Sequence, residues 1–201
     1  MSCFSQALNL PGKSKKLAVI FPGIRYSPEC PLLYYAQKLC VREGYEILPL
    51  YYSYRQDSVL DPELKLENFV RETQREAVRL LKDALKNPYT DIVFISKSIG
   101  TVLAGIAEKE LELKPRQFLM TPLPETFPYM KGMGARGAAV LGTKDKNLSA
   151  ERLELFCQKE EIPFTLYEGA GHRLEMESMD ETFGILSDIL KKLREFLAVS
   201  C

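Results

Sequence analysis

Short apolar runs and helical stripes alternate along this chain. Lys16-Leu-Ala-Val-Ile-Phe21 is apolar after its first residue and stops at Pro22-Gly23, the pattern of a buried strand and a turn. Pro31 to Gly44 then places Leu32, Leu33, Ala36, Leu39 and Cys40 at helical spacing, with a glycine at the stop. Tyr45 to Tyr52 predicts a second strand, and its Pro49, unable to donate to a ladder, assigns that strand to a sheet edge. Glu67 to Lys86 predicts a long helix with Val70, Ala77, Leu81 and Leu85 on one face. Asp91 to Ile95 is the third strand, Ile99 to Glu110 the next helix, and Arg116 to Met120 the fourth strand. After a proline-bearing segment through Lys131, Gly137-Ala-Ala-Val-Leu141 reads as the fifth strand. Ser149 caps a helix whose Leu153, Phe156 and Cys157 face inward, and Phe164 to Tyr167 is the sixth strand. The final helix carries Leu186, Ile189, Leu190, Leu193 and Leu197 in a 3.6-residue pattern.

Continuous apolar strands between amphipathic helices indicate a mainly parallel sheet of about six strands covered on both faces, a three-layer α/β/α sandwich. Right-handed crossovers place every loop that leaves a strand's C-terminal end on one rim, where α/β proteins bind ligands. The sequence shows no internal repeat, low-complexity tract or linker, so residues 1–201 are expected to form a single domain.

Composition narrows the chemistry. Lysine plus arginine equal aspartate plus glutamate at 27 each, which gives no electrostatic pull toward nucleic acid or an anionic membrane. No apolar run approaches the about 18 residues needed to span a bilayer, and the first residues lack the pattern of a signal peptide. Five scattered cysteines (Cys3, Cys30, Cys40, Cys157 and Cys201) form no C-x-x-C pair and fit free thiols in a reducing compartment, so a cytoplasmic location is expected. With one histidine, His172, any site needing two imidazole ligands is excluded; neither metal nor other cofactor is expected.

Three residues then stand out at strand C-terminal ends. Ser98 follows the third strand in Asp91-Ile-Val-Phe-Ile-Ser-Lys-Ser-Ile-Gly-Thr101, Asp145 follows the fifth in L-G-T-K-D-K-N, and His172 follows the sixth in E-G-A-G-H-R. Serine is a weak nucleophile that needs an adjacent base, histidine can take and return its proton, and a carboxylate fixes the imidazole tautomer. Each has an ordinary reading as well. Ser98 could be a turn or N-cap serine, although Ser96 or Lys97 is expected nearer the cap; Asp145 could begin a turn; His172 could be a surface histidine.

Taken together, S-K-S-I-G, G-T-K-D and G-A-G-H resemble the α/β-hydrolase family over nearly the whole chain from about Lys15, in particular its small lidless members of the dienelactone hydrolase and esterase type. That family carries G-x-S-x-G at a nucleophile elbow and the order serine, acid, histidine. By position the resemblance implies Ser98 as nucleophile, Asp145 as orienting acid and His172 as general base, with Glu125 the alternative acid. It implies oxyanion-hole N–H groups from Ile99 and from Ile24, or alternatively Arg25. Ser96 departs from the family glycine, and a small side chain is expected to be tolerated there. The short Thr121 to Arg136 segment leaves no room for the helical lid of larger members.

The implied activity is hydrolysis of a carboxylic ester or thioester of a small molecule through an acyl-enzyme, by a monomer or homodimer with no nucleic-acid or membrane partner. A peptidase, an acyltransferase or a non-catalytic binding protein on the same scaffold are the alternatives. Arg25 and Tyr26, with the aromatic stretch Leu50-Tyr-Tyr-Ser-Tyr-Arg55, lie on the same rim and are candidate substrate contacts. Other motifs lack their context. Gly132-Met-Gly-Ala-Arg-Gly137 precedes a strand instead of opening a helix, and Gly12-Lys13-Ser14 lacks the upstream glycine of a phosphate loop. Cys30 stands at a helix start and reads as a free thiol near the rim.

Overall fold

The computed structural model describes residues 14–53 and 65–199; Cys3, Gly12, Lys13, Tyr54, Arg55 and Cys201 lie outside the described residues. The chain runs β1 (Lys16–Phe21), α1 (Pro31–Arg42), β2 (Glu46–Pro49), α2 (Lys65–Ala84), β3 (Asp91–Lys97), α3 (Ile99–Glu110) and β4 (Arg116–Met120). The short α4 (Phe127–Met130), flanked by two 3₁₀ turns, leads to β5 (Gly137–Gly142), α5 (Ala150–Lys159), β6 (Phe164–Tyr167) and α6 (Met179–Ala198).

All six strands pair in parallel in the order β2-β1-β3-β4-β5-β6. Right-handed crossovers explain the layers. The step from β1 to β2 runs one way along the sheet, whereas the steps from β2 to β3, β3 to β4 and β5 to β6 run the other. Accordingly α1 packs with α6 on one face, over Ala18, Ile20, Val93, Ile95, Phe118 and Val140. Helices α2 and α3 cover Leu17, Val19, Phe21 and Phe94 on the opposite face, and α5 continues that layer over Leu119, Ala139 and Leu141. Each fully buried large side chain contributes roughly 1.5–3 kcal/mol through removal from water. Because the strand order reverses direction between β1 and β3, a crevice opens outside their C-terminal ends.

Two strands depart from the periodicity by more than one residue. β2 ends at Pro49; the Leu50 N–H still reaches the Ile20 carbonyl at 3.1 Å, and then the tyrosines leave the sheet. As its proline suggested, β2 is an edge strand. β3 runs two residues beyond the apolar stretch, so Ser96 and Lys97 belong to the ladder, paired with Leu119 and Met120.

At the opposite rim, Arg116 joins three elements. Its guanidinium donates to both Asp91 carboxylate oxygens at 2.9 Å, to the Tyr45 hydroxyl at 2.6 Å, and to the carbonyls of Phe196 at 2.7 Å and Val199 at 2.9 Å. A cation thus satisfies carbonyls left open at the end of α6, where the helix dipole is negative. Replacing this buried cation by the similar volume of methionine, Arg116→Met, strands Asp91 and those carbonyls. The expected loss is about 3 kcal/mol of unfolding free energy, read from urea denaturation, with Asp91's partial exposure keeping it at the low end.

Candidate active site

Ser98 is the hinge between β3 and α3, and its backbone sits at φ 55°, ψ −126°, a region an L-residue adopts only under constraint. The constraint is visible. The Ser98 N–H donates to the Met120 carbonyl at 3.0 Å, and the Thr101 N–H donates back to the Ser98 carbonyl at 2.9 Å. Just inside the helix, a Cβ built on Gly100 would lie 2.2 Å from the Phe21 carbonyl oxygen, so this position admits glycine alone. The close helix–strand approach therefore falls at Gly100, while Ser96, fully buried, is accommodated beside β4. Ser98 itself occupies the N-cap position that was expected nearer Ser96 or Lys97, yet its side chain makes no capping bond.

That hydroxyl has another partner. His172 Nε2 lies 2.8 Å from Ser98 Oγ, and His172 Nδ1 lies 2.7 Å from Asp145 Oδ2. The Asp145 side chain is fully buried, and its other oxygen accepts from the Asn147 N–H at 2.8 Å. Since a carboxylate only accepts, the imidazole proton resides on Nδ1 and leaves Nε2 free to accept from the serine. Residues 98, 145 and 172, drawn from loops after β3, β5 and β6, thus form one continuous hydrogen-bonded chain. Glu125, the alternative acid, is exposed in the turn before α4, and the imidazole bonds to Asp145 instead.

The acid and histidine loops are stitched to each other. Lys144 N–H donates to the Ala170 carbonyl at 2.9 Å, Thr143 N–H to Tyr167 at 3.0 Å, and Gly169 N–H to Thr143 Oγ1 at 2.9 Å. At Gly142 an added Cβ would stand 2.2 Å from the Ala170 carbonyl oxygen, so this contact too demands glycine.

The loop after β1 borders the nucleophile. Gly23 and Tyr26 exchange backbone hydrogen bonds of 3.2 Å, closing a tight turn that holds Arg25 at φ 55°, and a Cβ on Gly23 would lie 3.3 Å from Ser98 Cβ. Among the described residues the backbone N–H groups of Ile24, Arg25 and Ile99 have no hydrogen-bond partner. A cavity of about 360 Å³ opens here, walled by Pro22, Arg25, Tyr26, Leu50, Tyr51 and Tyr52. Among the described residues Arg25, which is exposed, has no ion-pair partner and the buried Tyr52 hydroxyl has no hydrogen-bond partner. Tyr26 is a fixed wall, 6% exposed, whose hydroxyl accepts from the Leu32 N–H at 3.4 Å and whose acidity burial suppresses to a pKa of about 12. Tyr51 turns outward and donates to Glu29 at 2.6 Å.

Lys97 is placed by the sequence only as a residue near the helix cap, its side chain given no role. It is 1% exposed, and its Nζ donates to Thr121 Oγ1 at 2.9 Å and to the His172 carbonyl at 2.8 Å, 4.9 Å from the Tyr26 ring centre. Burial draws its pKa down to about 7, against the opposing pull of the Asp145 carboxylate. Strand alternation was the available signal, because Lys97 shares parity with the buried Val93 and Ile95. Among the described residues no group of three or more histidine, cysteine, aspartate or glutamate side chains is placed to hold a metal ion, and no helix is long and apolar enough to cross a membrane.

Neither a family model nor a curated protein matches this sequence. Solved structures do match in shape. A candidate hydrolase of the alpha/beta superfamily from Xanthomonas campestris pv. campestris superposes with a TM-score of 0.65 at 16% identity, covering 90% of this chain and 99% of the other. Est1E from Butyrivibrio proteoclasticus, solved with ferulic acid bound, gives 0.66 at 13% identity over 94% and 92% of the two chains. An alpha-beta serine hydrolase homologue from Coxiella burnetii gives 0.63 at 14% identity over 94% and 88%. The chain has the α/β-hydrolase fold.

Lys97 makes stability depend on pH with a definite sign. Between its folded-state pKa of about 7 and the ordinary lysine range, the unfolded chain holds a proton that the folded chain has lost, so unfolding becomes harder as pH rises. The expected result is a larger gain in urea midpoint from about pH 7 to about pH 9 for the wild type than for Lys97→Met.

Proposed function

We propose that this protein is a serine hydrolase that cleaves a carboxylic ester or thioester of a small molecule through an acyl-enzyme on Ser98. The observation that supports this most is the unbroken chain from Asp145 through His172 to a serine held at positive φ. Its neighbours in shape include a serine hydrolase homologue, which agrees with the reading at the level of fold.

In this mechanism His172 Nε2 takes the Ser98 proton as Oγ attacks the carbonyl carbon. Asp145 stabilises the imidazolium through Nδ1–H. Negative charge gathers on the former carbonyl oxygen, where the Ile99 N–H at the positive end of α3 and the Ile24 N–H serve as donors. Collapse breaks the bond to the leaving alcohol or thiol, which receives the proton from His172. A water molecule then loses a proton to His172 and attacks the acyl carbon; the second collapse releases the acid and returns the proton to Ser98 Oγ. The cavity beside Gly23 receives the substrate, with the Arg25 guanidinium as a polar contact and Tyr26 as a wall.

A fluorophosphonate probe is expected to label the protein at Ser98, and Ser98→Ala to abolish labelling. His172→Ala should lower turnover of p-nitrophenyl acetate by about 10⁴-fold while circular dichroism stays unchanged. Folded protein that never labels, or a His172→Ala variant of undiminished activity, would refute the reading. Thioester and aminoacyl-amide substrates run beside the ester sort hydrolase from peptidase.

A further inference from the structure

The lysine beneath the histidine has no part in the steps above. Its placement is nonetheless costly: an amine on a flexible four-carbon stem, 1% exposed, with burial working against its charge. Such a group persists where its hydrogen bonds accomplish something a hydrophobic residue of the same volume could not.

What it joins is specific. Lys97 is the last residue of the strand that ends in Ser98, so its backbone is part of the nucleophile's own frame. Its Nζ reaches past β4, bonding Thr121 Oγ1 at 2.9 Å, and ends on the carbonyl of His172 itself at 2.8 Å. Thr121 is held at φ 46° with its N–H on the Val140 carbonyl at 2.8 Å, so the hydroxyl that receives Lys97 is itself fixed. The histidine loop is stitched to the acid loop by Ala170 and Gly169; the direct contacts from the β3 frame to His172 are Ser98 Oγ on the imidazole and Lys97 Nζ on the main chain.

We infer that Lys97 is a positioning residue for the Ser98–His172 pair: by holding the His172 carbonyl to the end of β3, it sets the height and tilt of the imidazole over the serine. An ammonium group has three donors and a neutral amine two, so both hydrogen bonds survive in either protonation state. Losing them frees the histidine backbone, and a displacement on the order of 1 Å at a proton-transfer pair costs about 100-fold in rate. The inference rests on the hydrolase reading for its kinetic consequence alone; its geometric claim is independent.

Lys97→Met keeps the stem and volume and removes the donors. In this folded variant the rate of Ser98 labelling by the fluorophosphonate and kcat for p-nitrophenyl acetate are expected to fall about 10- to 100-fold, with KM within about twofold. Thr121→Val should act in the same direction more weakly, and the double variant should be no slower than Lys97→Met alone. Because the chain has a single histidine, long-range ¹H–¹⁵N correlation spectra of a tag-free, ¹⁵N-labelled sample report its tautomer without ambiguity. Wild type and Lys97→Met are both expected to keep the Nδ1–H form that Asp145 fixes, with the Nε2 resonance displaced in Lys97→Met as its contact with Ser98 loosens. An unchanged imidazole spectrum in Lys97→Met overturns the inference, as does a raised KM with unchanged kcat or strict additivity with Thr121→Val. A wild type that never labels while Lys97→Met still displaces its Nε2 resonance sinks the hydrolase reading and leaves the positioning role standing. Should Lys97→Met not fold, Thr121→Val decides by the same spectrum and the same kcat-to-KM split.

Discussion

The chain turns from β3 into α3 within one residue, and the geometry of the rim follows from that turn. Ser98 stands at φ 55°, a conformation that costs of the order of 1–3 kcal/mol for a residue with a Cβ. It persists because both sides of the hinge are anchored, by the N–H bond to Met120 and by the close seating of Gly100 on the Phe21 carbonyl. The same seating brings the first turn of α3 beside the loop after β1, so Ser98 and Gly23 lie against each other. Strain elsewhere follows the same map. Arg25, Thr121 and Leu174 also have positive φ, each in a segment following a strand's C-terminal end, while Glu112 and Glu161 merely end helices.

The two rims of the sheet divide the polar work. At the N-terminal ends of the strands a buried guanidinium ties the end of α6 to β3 and to Tyr45. At the C-terminal ends a buried amine, a buried carboxylate and a half-exposed imidazole sit over the apolar core without penetrating it. Each of these buried polar groups has partners, which is the condition under which a core tolerates them.

Much of this was legible in the sequence, because strand and helix periods differ and because parallel topology gathers strand C-terminal ends. β1, β4 and β6 begin and end where the apolar runs do, and Pro49 marked β2 as an edge. The order serine, aspartate, histidine brought together three residues that the structure joins within 2.8 Å of one another along the chain of hydrogen bonds. What escaped was decided by tertiary contact. Ser96 and Lys97 have polar side chains that mask a continuing strand; only the pairing with Leu119 and Met120 reveals it. Arg116 stood out only as the first residue of the fourth strand, since its partners come from residues far away in the chain.

The stitching between the loops after β5 and β6 has a mechanical consequence. Carboxylate and imidazole ride on one platform, sharing backbone bonds through Ala170 and Thr143, whereas the serine rides on another. Relative motion of the platforms therefore stretches the contact between oxygen 98 and nitrogen before it disturbs the carboxylate. The imidazole keeps its carboxylate partner through such an excursion, and the parts re-engage by restoring the two contacts that Ser98 Oγ and Lys97 Nζ make with His172.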